Sequence, residues 1–529
     1  ENVRGYELKT VYDYDDQCNY SEKSGLVTGL TMNNCRQFVY SYDKLNRLTS
    51  KTLLKSYGVK TTYSYLEGAG ENTTTALIKS VNNDGELLEY AYDQNGNITS
   101  VKKNGALLES YEYDALNQLT KVTRGSEVYT YTYDNAGNIL SVKKNGAVIK
   151  TYGYSDPEWK DLLTSFNGQT ITYDAIGNPL AYRDGMTMTW QSGRQLASIN
   201  KDGLSATFAY DANGHRTQKT VNGVTTNYYW VGDRLQYMAT GDDMYVFFYD
   251  DKGTPYGVFT LIDGVQEHLF YLYNAQGDVI ALLNANGALV ASYNYGAWGN
   301  YSVHDKDGKK NTSTSFIGHI NPLRYRGYYY DRETRLYYLQ SRYYDFANCR
   351  FINADTFATT DANGFLSANM FAYCENNPIM RVDADGEIWN VIAGAVIGAG
   401  LEVLGQLMTG TKFADINWGS VAMEGALGAV SSLGIPARIT SKLGKVAFTA
   451  FKDVVIPTTV EVRSQIKTNK RVNYTKTAIT ASKASINSAV TAGTDRLLKS
   501  TSSRMAKAVV HSTRQLFFFT FGLISKFWR

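Results

Sequence analysis

Tyrosines alternate with polar residues along most of the chain, in short stretches that each end in a turn. The sequence Tyr-x-Tyr-Asp, followed by Leu-Asn or Gly-Asn, occurs at Tyr40–Asp43, Tyr90–Asp93, Tyr111–Asp114 and Tyr131–Asp134. Because the side chains of a β-strand alternate between its two faces, this spacing places both tyrosine rings on one face. The pattern predicts a series of strands that are buried on one side.

Turn-forming residues separate these strands in two alternating ways. The Asp of each unit can accept a hydrogen bond from the backbone two residues on, and the following Gly and Asn tolerate positive φ angles. A second strand such as Leu119–Val122 comes next, and Asn-Gly, as at Asn104–Gly105 or Asn145–Gly146, then leads into another tyrosine strand. Asn-Gly between two strands is a strong hairpin signal. Each unit is therefore predicted to be a β-hairpin.

The hairpin unit recurs with looser spacing further along the chain. These copies begin at Tyr173, Tyr210, Tyr273 and Tyr295. A single hairpin cannot bury its aromatic face, but stacked neighbours can bury it together, so a repeat of about 20 to 40 residues determines the whole fold. We predict a mainly β fold built from stacked hairpins.

The character of the chain changes after Gly386. Of its 42 tyrosines, only Tyr474 lies beyond that residue. Residues 387–529 contain 18 Lys and Arg against 7 Asp and Glu, a net charge of +11, so residues 1–386 carry −8 of the total of +3. An acidic, tyrosine-rich part joined to a basic part indicates two different tasks.

A dense run of Arg, Tyr and Asp precedes this boundary. Its segments are Pro322–Asp331, Thr334–Asp345, Arg350–Asp355, Asn369–Tyr373, Asn376–Pro378 and Val382–Gly386. Their order and spacing resemble the RHS repeat-associated core domain. The upstream hairpins resemble the YD repeats of RHS, insecticidal toxin-complex C and teneurin-like proteins. The resemblance covers about residues 1–386.

The resemblance implies a particular organisation. In that family the repeats form a hollow β-shell, the core closes one end as a plug, and the variable polypeptide after the core is a toxic effector held inside. The domains expected from it are a shell (1–321), a core plug (322–386), a Gly/Ala-rich apolar helical linker (387–440) and a basic, mostly α-helical effector (441–529). A secreted or cell-surface polymorphic toxin is implied, with its own effector and an immunity protein as partners.

Several members of the family are similar to an aspartyl protease in the plug and cut their own chain after the core. By resemblance, the catalytic residues are Arg342, Asp355 and Asp383. The expected cut lies close to Glu387–Ile388, at the segment Gly386, Glu387 and Ile388. Two close carboxylates share a proton, so one can act as general base on water and the other as general acid. No metal or cofactor is expected.

The end of this motif departs from the family pattern. Asp-Pro-x-Gly is common there, whereas this chain has Asp383-Ala384-Asp385-Gly386 and lacks the proline that stiffens the segment. The alternative interpretation is structural: Asp355 and Asp383 would be turn residues that close loops of the plug.

The region after Gly386 has features of a membrane hairpin. Val391–Met408 and Trp418–Ile435 are apolar and contain small residues suited to close helix packing, among them Gly394, Gly398 and Gly425. Glu402 and Glu424 interrupt these segments, and a charge in a bilayer is costly. Buried or chaperoned helices are therefore the alternative.

The sequence of the tail shows no recognisable catalytic motif, and its one histidine is His511. Its basic charge suits nucleic acid or an anionic membrane, and the apolar run Leu516–Arg529 suits a membrane interface. The alternative function is a cell-surface adhesion protein, with a structural shell, an apolar C-terminal anchor and a carbohydrate or cell-surface receptor as partner.

Two further features concern compartment and redox state. The chain begins at Glu1 without a basic, apolar leader and is interpreted as a piece of a longer protein. Its four cysteines form no CxxC and are predicted to be free buried thiols, with a Cys18–Cys35 bridge as the alternative.

Overall fold

The computed structural model describes residues 2–3, 6–7, 9–14, 26–54, 58–68, 74–355, 369–383, 386 and 389–391. The chain divides into two compact units, and all the described residues belong to the unit formed by 1–360 and 365–393. Of the region predicted to be helical, Trp389–Val391 are described, and they form a β-strand because they pair with Arg381–Asp383. The rest of that region, with Gly394, Gly398 and Gly425, lies outside the described residues. Glu387, Ile388 and Cys18 also lie outside them.

Antiparallel hairpins follow one another and build the first long sheet. A short ribbon of β1 (Asn2–Val3) and β2 (Tyr6–Glu7) precedes it. Among the described residues this sheet has 15 strands in sequence order: β3 (Thr10–Tyr14), β4 (Val27–Met32), β5 (Cys35–Tyr42), β6 (Leu48–Leu53), β7 (Val59–Glu67), β8 (Thr74–Asn83), β9 (Glu86–Tyr92), β10 (Ile98–Lys103), β11 (Ala106–Tyr113), β12 (Leu119–Arg124), β13 (Glu127–Tyr133), β14 (Ile139–Lys144), β15 (Ala147–Gly153), β16 (Ser165–Phe166) and β17 (Gln169–Thr170).

A second long sheet continues in the same manner. Its 14 described strands are again in sequence order: β18 (Thr172–Tyr173), β19 (Pro179–Tyr182), β20 (Met186–Gln191), β21 (Gln195–Lys201), β22 (Leu204–Tyr210), β23 (Arg216–Val221), β24 (Val224–Val231), β25 (Arg234–Thr240), β26 (Asp243–Tyr249), β27 (Pro255–Ile262), β28 (Val265–Tyr273), β29 (Val279–Asn284), β30 (Leu289–Tyr295) and β31 (Tyr301–Asp305). We call the two long sheets the shell sheets.

Shorter elements follow the shell sheets. After α1 (Ile317–Ile320), a four-stranded sheet contains β32 (Tyr329–Asp331), β33 (Leu336–Tyr338), β34 (Tyr343–Asp345) and β35 (Arg350–Phe351). A final hairpin pairs β36 (Arg381–Asp383) with β37 (Trp389–Val391). In the described part of the chain, 3₁₀ turns lie at Arg183–Gly185, within the second shell sheet, and at Tyr325–Gly327 and Tyr373–Asn376. We call the described residues from 322 to 386 the core segment.

These elements confirm the predicted mainly β fold. Within the part of the chain that the structure describes, no helix has the length and apolar character of a membrane-spanning segment. Cys349 and Cys374 are buried free thiols, as predicted, whereas the free thiol of Cys35 is exposed.

The two tyrosines of each unit have different tasks. The first is buried, at 8% exposure or less for Tyr111 and Tyr131. The second follows a β-bulge, and its hydroxyl donates to a carbonyl of the preceding unit, as from Tyr113 to Ile98 at 2.7 Å. The same bond joins Tyr42 to Val27, Tyr65 to Leu48, Tyr92 to Ile78, Tyr133 to Leu119, Tyr154 to Ile139 and Tyr295 to Val279. Each hairpin is thus tied to its predecessor.

Hydrogen bonds that recur in the turns within the repeats explain the Asp and Asn residues found there. In one unit, Asp93 Oδ1 accepts the backbone N–H groups of Asn95 and Asn97 at 2.9 and 2.8 Å, and Asp93 Oδ2 accepts Asn97 Nδ2 at 2.9 Å. The alternate turns have positive φ angles at both central residues, as at Asn104 (50°) and Gly105 (79°). That is the geometry of a type I′ hairpin.

Buried ion pairs join the core segment to the second shell sheet. Arg216 Nη1 lies 2.6 Å from Asp331 Oδ2, and Lys219 Nζ lies 2.8 Å from Asp331 Oδ1. Arg183 Nε lies 2.6 Å from Asp345 Oδ2. Because an unpaired charge is costly to bury, these pairs fix the position of the core segment on the second shell sheet.

Asparagine side chains join the core segment to turns of the first shell sheet. Asn377 Nδ2 donates to Asn97 Oδ1 at 2.9 Å, and Asn376 Nδ2 donates to Gln118 Oε1 at 2.9 Å. Asn369 Nδ2 donates to Asn138 Oδ1 at 2.8 Å. Three successive repeats are therefore all contacted by asparagines of the core segment, which fixes its register along the sheet.

The Asp331 cluster predicts a measurable stability effect. Burial alone raises the pKa of Asp331, but the charges of Arg216 and Lys219 outweigh it and hold that pKa below its usual value. Asp331→Asn leaves both cations without this partner and is expected to lower the free energy of unfolding by about 3–5 kcal/mol. Urea unfolding at pH 7, followed by fluorescence, measures it.

The pH dependence supplies the check. A carboxyl group whose pKa is lower in the folded than in the unfolded state stabilises the fold at any pH above its unfolded pKa. This stabilisation is lost as the pH falls through the pKa of the folded state. The difference between wild type and Asp331→Asn should therefore shrink below about pH 4. The control is Asp307→Asn, at an exposed pair with Lys306, with an expected change below about 0.5 kcal/mol. Equal effects of both substitutions would contradict the assignment.

Candidate active site

Arg342 lies in the tight connection between β33 and β34. The N–H of Leu339 donates to the carbonyl of Arg342 at 2.9 Å, and Gln340 takes a φ angle of 64° to close the turn. The Arg342 guanidinium lies 3.6 Å from the centroid of the Phe351 ring on β35. The ring buries one face of the guanidinium and leaves its N–H groups directed at polar partners.

Those partners include both predicted aspartates. Arg342 Nη1 lies 3.0 Å from Asp355 Oδ2, and Arg342 Nη2 lies 3.2 Å from Asp383 Oδ2. The Asp383 side chain is 3% exposed and that of Asp355 is 17% exposed, so solvent reaches one carboxylate more than the other. The structure thus brings together the three residues that the family resemblance assigned to catalysis.

Gly386 is held at the same place. Arg342 Nε donates to the Gly386 carbonyl, and the Gly386 N–H donates to Asp383 Oδ1 at 2.8 Å. Gly386 belongs to the connection between β36 and β37, with a φ angle of 80°. A carbonyl of the predicted cleavage segment is therefore bound by the predicted arginine. Its two neighbours in that segment, Glu387 and Ile388, lie outside the described residues.

Backbone and tyrosine contacts support the two aspartates. The Asp355 N–H donates to the Met370 carbonyl at 2.9 Å, and Arg342 Nη1 donates to the same carbonyl at 3.2 Å. The Asp383 N–H donates to Tyr328 Oη at 3.0 Å, and Tyr328 Oη lies 2.9 Å from Tyr373 Oη. Sequence reasoning missed Tyr328, because nothing in the pattern separates it from the other tyrosines of the run.

Burial keeps a tyrosine hydroxyl and a cysteine thiol near Asp383 in their neutral forms. Burial raises the pKa of the Tyr328 hydroxyl, so this group stays protonated. Burial also raises the pKa of the Cys374 thiol, and the charge of Asp383 adds to that rise. A neutral thiol is a poor nucleophile, so Cys374 is not suited to attack a carbonyl.

This arrangement has the parts that peptide hydrolysis requires. It contains two carboxylates, a guanidinium that touches both, and a peptide carbonyl bound by that guanidinium. It also fits the structural interpretation in one respect, because Asp383 accepts the backbone N–H three residues on, as a turn residue does. Among the described residues, no cluster of His, Cys, Asp and Glu side chains is arranged to hold a metal ion.

Comparison with curated proteins identifies relatives among nucleases and toxins. The chain is 37% identical over 328 residues to "tRNA nuclease WapA" of Bacillus subtilis (strain 168), a match of 60% of this chain and 12% of the relative. It is 26% identical over 261 residues to "Double-stranded DNA deaminase toxin A" of Burkholderia cenocepacia (strain H111), a match of 43% of this chain and 17% of the relative. The chain thus spans less than a fifth of the length of either relative.

Comparison with solved structures and with family models addresses the fold. The crystal structure of TcdB2-TccC3-Cdc42 matches with a TM-score of 0.55 at 18% identity, over 72% of this chain and 20% of that chain. The structure of TcdB2-TccC3 matches with the same TM-score over 71% of this chain and 21% of that chain. The Teneurin YD-shell family model matches residues 88–379, more than half of the chain. The chain therefore belongs to the Teneurin YD-shell family, as its repeats and core motifs predicted.

Proposed function

We propose that this chain is part of a polymorphic toxin whose core segment cuts the chain after Gly386. The observation that carries the proposal is the position of Arg342, which contacts Asp355, Asp383 and the Gly386 carbonyl together. A guanidinium so placed polarises the carbonyl and stabilises the negative charge that develops on its oxygen during attack. The bond favoured by this contact is Gly386–Glu387, next to the expected Glu387–Ile388.

The proposed chemistry needs only water and the two carboxyl groups. Asp355, the more exposed of the two, takes a proton from a water molecule, whose oxygen attacks the Gly386 carbonyl carbon. The two carboxyl groups share one further proton, and Asp383 donates it to the departing nitrogen of Glu387 as the C–N bond breaks. The products are a new carboxylate at Gly386 and a new amino terminus at Glu387.

The proposed domains follow this cut. Residues 1–321 form the shell and 322–386 the core, and 387–440 and 441–529 form the linker and effector of the released fragment. We propose a secreted or cell-surface toxin, supported by a relative that is named as a toxin. Its partners are the effector and an immunity protein.

We propose that the effector acts on nucleic acid. Residues 387–529 carry a net charge of +11, which suits a polyanion. The names of two relatives also support a nucleic-acid target, since one is a tRNA nuclease and the other a double-stranded DNA deaminase toxin.

Self-cleavage is tested with the full chain. Wild type is expected to yield two fragments, and mass spectrometry should find Glu387 at the start of the smaller one. Asp355→Asn and Asp383→Asn keep the side-chain size but remove the ionisable group, so each should slow cleavage at least about 100-fold. Asp307→Asn, at an exposed residue, is the control and should cleave like wild type. A single full-length band from wild type would refute the proposal.

The position of the Gly386 carbonyl is tested separately. A Cβ at Gly386 would lie 2.7 Å from Ser341 Oγ and 2.9 Å from the Leu339 carbonyl oxygen, so Gly386→Ala should displace the segment from Arg342. A displacement of about 1 Å can reduce such a rate about 100-fold. The matched control is Gly308→Ala, because Gly308 has a φ angle of 74° and nothing within 4 Å of the added Cβ. If both variants cleave equally fast, the carbonyl contact has no part in cleavage.

The effector is tested by expressing residues 387–529 in bacteria, with residues 1–386 as the control. Growth arrest together with degraded or modified nucleic acid, at unchanged membrane potential, is the expected result. Loss of the membrane potential with intact nucleic acid would instead assign a membrane-active effector. Unimpaired growth on confirmed expression would count against an effector of either kind.

A further inference from the structure

A shell residue that the family resemblance does not assign lies beside the candidate active site. Arg194 follows the tight turn at Ser192 and Gly193, which have φ angles of 46° and 86°, between β20 and β21. Asn178, which is fully buried, donates from Nδ2 to the Gly193 carbonyl at 2.8 Å. The turn that carries Arg194 is therefore fixed by the preceding repeat.

Arg194 contacts the backbone immediately before Asp355. Arg194 Nη1 donates to the Ala354 carbonyl at 2.8 Å, while the Ala354 N–H donates to the Gly177 carbonyl at 3.2 Å. Ala354 is fully buried, and its Cβ packs closely against the backbone of Gly177. A Cβ added at Gly177 would lie only 2.9 Å from Ala354 Cβ. The turns at Gly177 and Arg194 of the second shell sheet thus bind the N–H and the carbonyl of Ala354, the residue before Asp355.

Arg194 also changes the balance of charge at the site. Arg342 supplies one positive charge, which contacts both Asp355 and Asp383. Burial lowers the pKa of Arg194, the charges of Asp355 and Asp174 oppose that shift, and Arg342 adds to it. An arginine remains protonated under such conditions, so the shell supplies a second positive charge for the two carboxylates.

We propose that Arg194 is a positioning residue of the self-cleavage site, which is complete only when the core segment is seated on the shell sheets. This inference rests on the proposed self-cleavage. The bond after Gly386 would then be cut in an assembled shell and not in a nascent or misfolded chain. Release of the effector would thereby follow assembly of the shell.

A purely structural role for Arg194 predicts different results. If Arg194 only packs against Ala354, its loss lowers the cleavage rate equally at every pH. If its charge acts on the site, its loss disfavours the ionised form of the general base, and the acid side of the rate profile moves to higher pH. Among the described residues, Arg342 forms an ion pair with Asp355, Arg194 interacts with Asp355 and Asp174 through its charge, and Arg342 also contacts Asp383.

The experiment follows the full chain made by pulse-labelled cell-free translation. Translation is stopped, samples are transferred to buffers from pH 4 to pH 8, and the conversion of full-length chain into two fragments is timed. Arg194→Gln should shift the acid side of the rate profile to higher pH by about one unit. On that side of the profile, the cleavage rate at a given pH should then be about tenfold lower than in wild type. Arg194→Lys, which keeps the charge, should retain the wild-type profile.

Controls separate this inference from the proposed function. Arg234→Gln changes an arginine in the equivalent position after the turn between β24 and β25, and its profile should match wild type. Arg194→Met is a second neutral variant in case Arg194→Gln does not give a protease-resistant shell. An unchanged profile in the neutral variants, or a rate lowered equally at every pH, would overturn the inference while self-cleavage stands. A wild-type chain that is never cut would overturn both.

Discussion

Hydrogen bonding of tyrosine hydroxyls is the constraint on which the rest of this structure depends. A buried hydroxyl without a partner is costly, so a sheet with tyrosines on its covered face needs acceptors at regular intervals. The second tyrosine of most units finds one on the preceding hairpin, as Tyr133 does at the carbonyl of Leu119. The core segment meets the same need at other tyrosines of the second shell sheet, since Tyr343 Oη lies 3.1 Å from Tyr210 Oη. The repeat therefore sets both the stacking of the hairpins and the surface that the core segment has to fit.

Charge then decides where the core segment lies on that surface. Asp331 and Asp345 are fully buried and meet Arg216 and Arg183 of the second shell sheet, so a shift of the segment would leave charges unpaired in the interior. This seating also delivers Ala354 to the turns at Gly177 and Arg194. The geometry around Asp355 is thus a consequence of how the whole segment is anchored, and it connects assembly of the shell with the proposed chemistry.

Much of the candidate site could be predicted, but only in part from residue chemistry. Arg342, Asp355 and Asp383 were assigned by resemblance, and the structure places them around one guanidinium. Tyr328 and Arg194 were not assigned. Tyr328 is one tyrosine among many in its run, and Arg194 follows an ordinary Ser-Gly turn, more than 150 residues before Asp355. Their roles depend on long-range contacts that no local pattern encodes.

The sequence by itself determined the repeating hairpins, because alternation, Asp-capped turns and Asn-Gly turns are local properties of neighbouring residues. It also determined where the tyrosine-rich part ends, since composition changes at Gly386. Only the tertiary structure decided which tyrosine of each pair is buried, which hydroxyl ties two hairpins together, and which shell turns touch the core segment. Those outcomes depend on β-bulges and on ion pairs buried between distant segments. These interactions stabilise the protein only once the chain is folded.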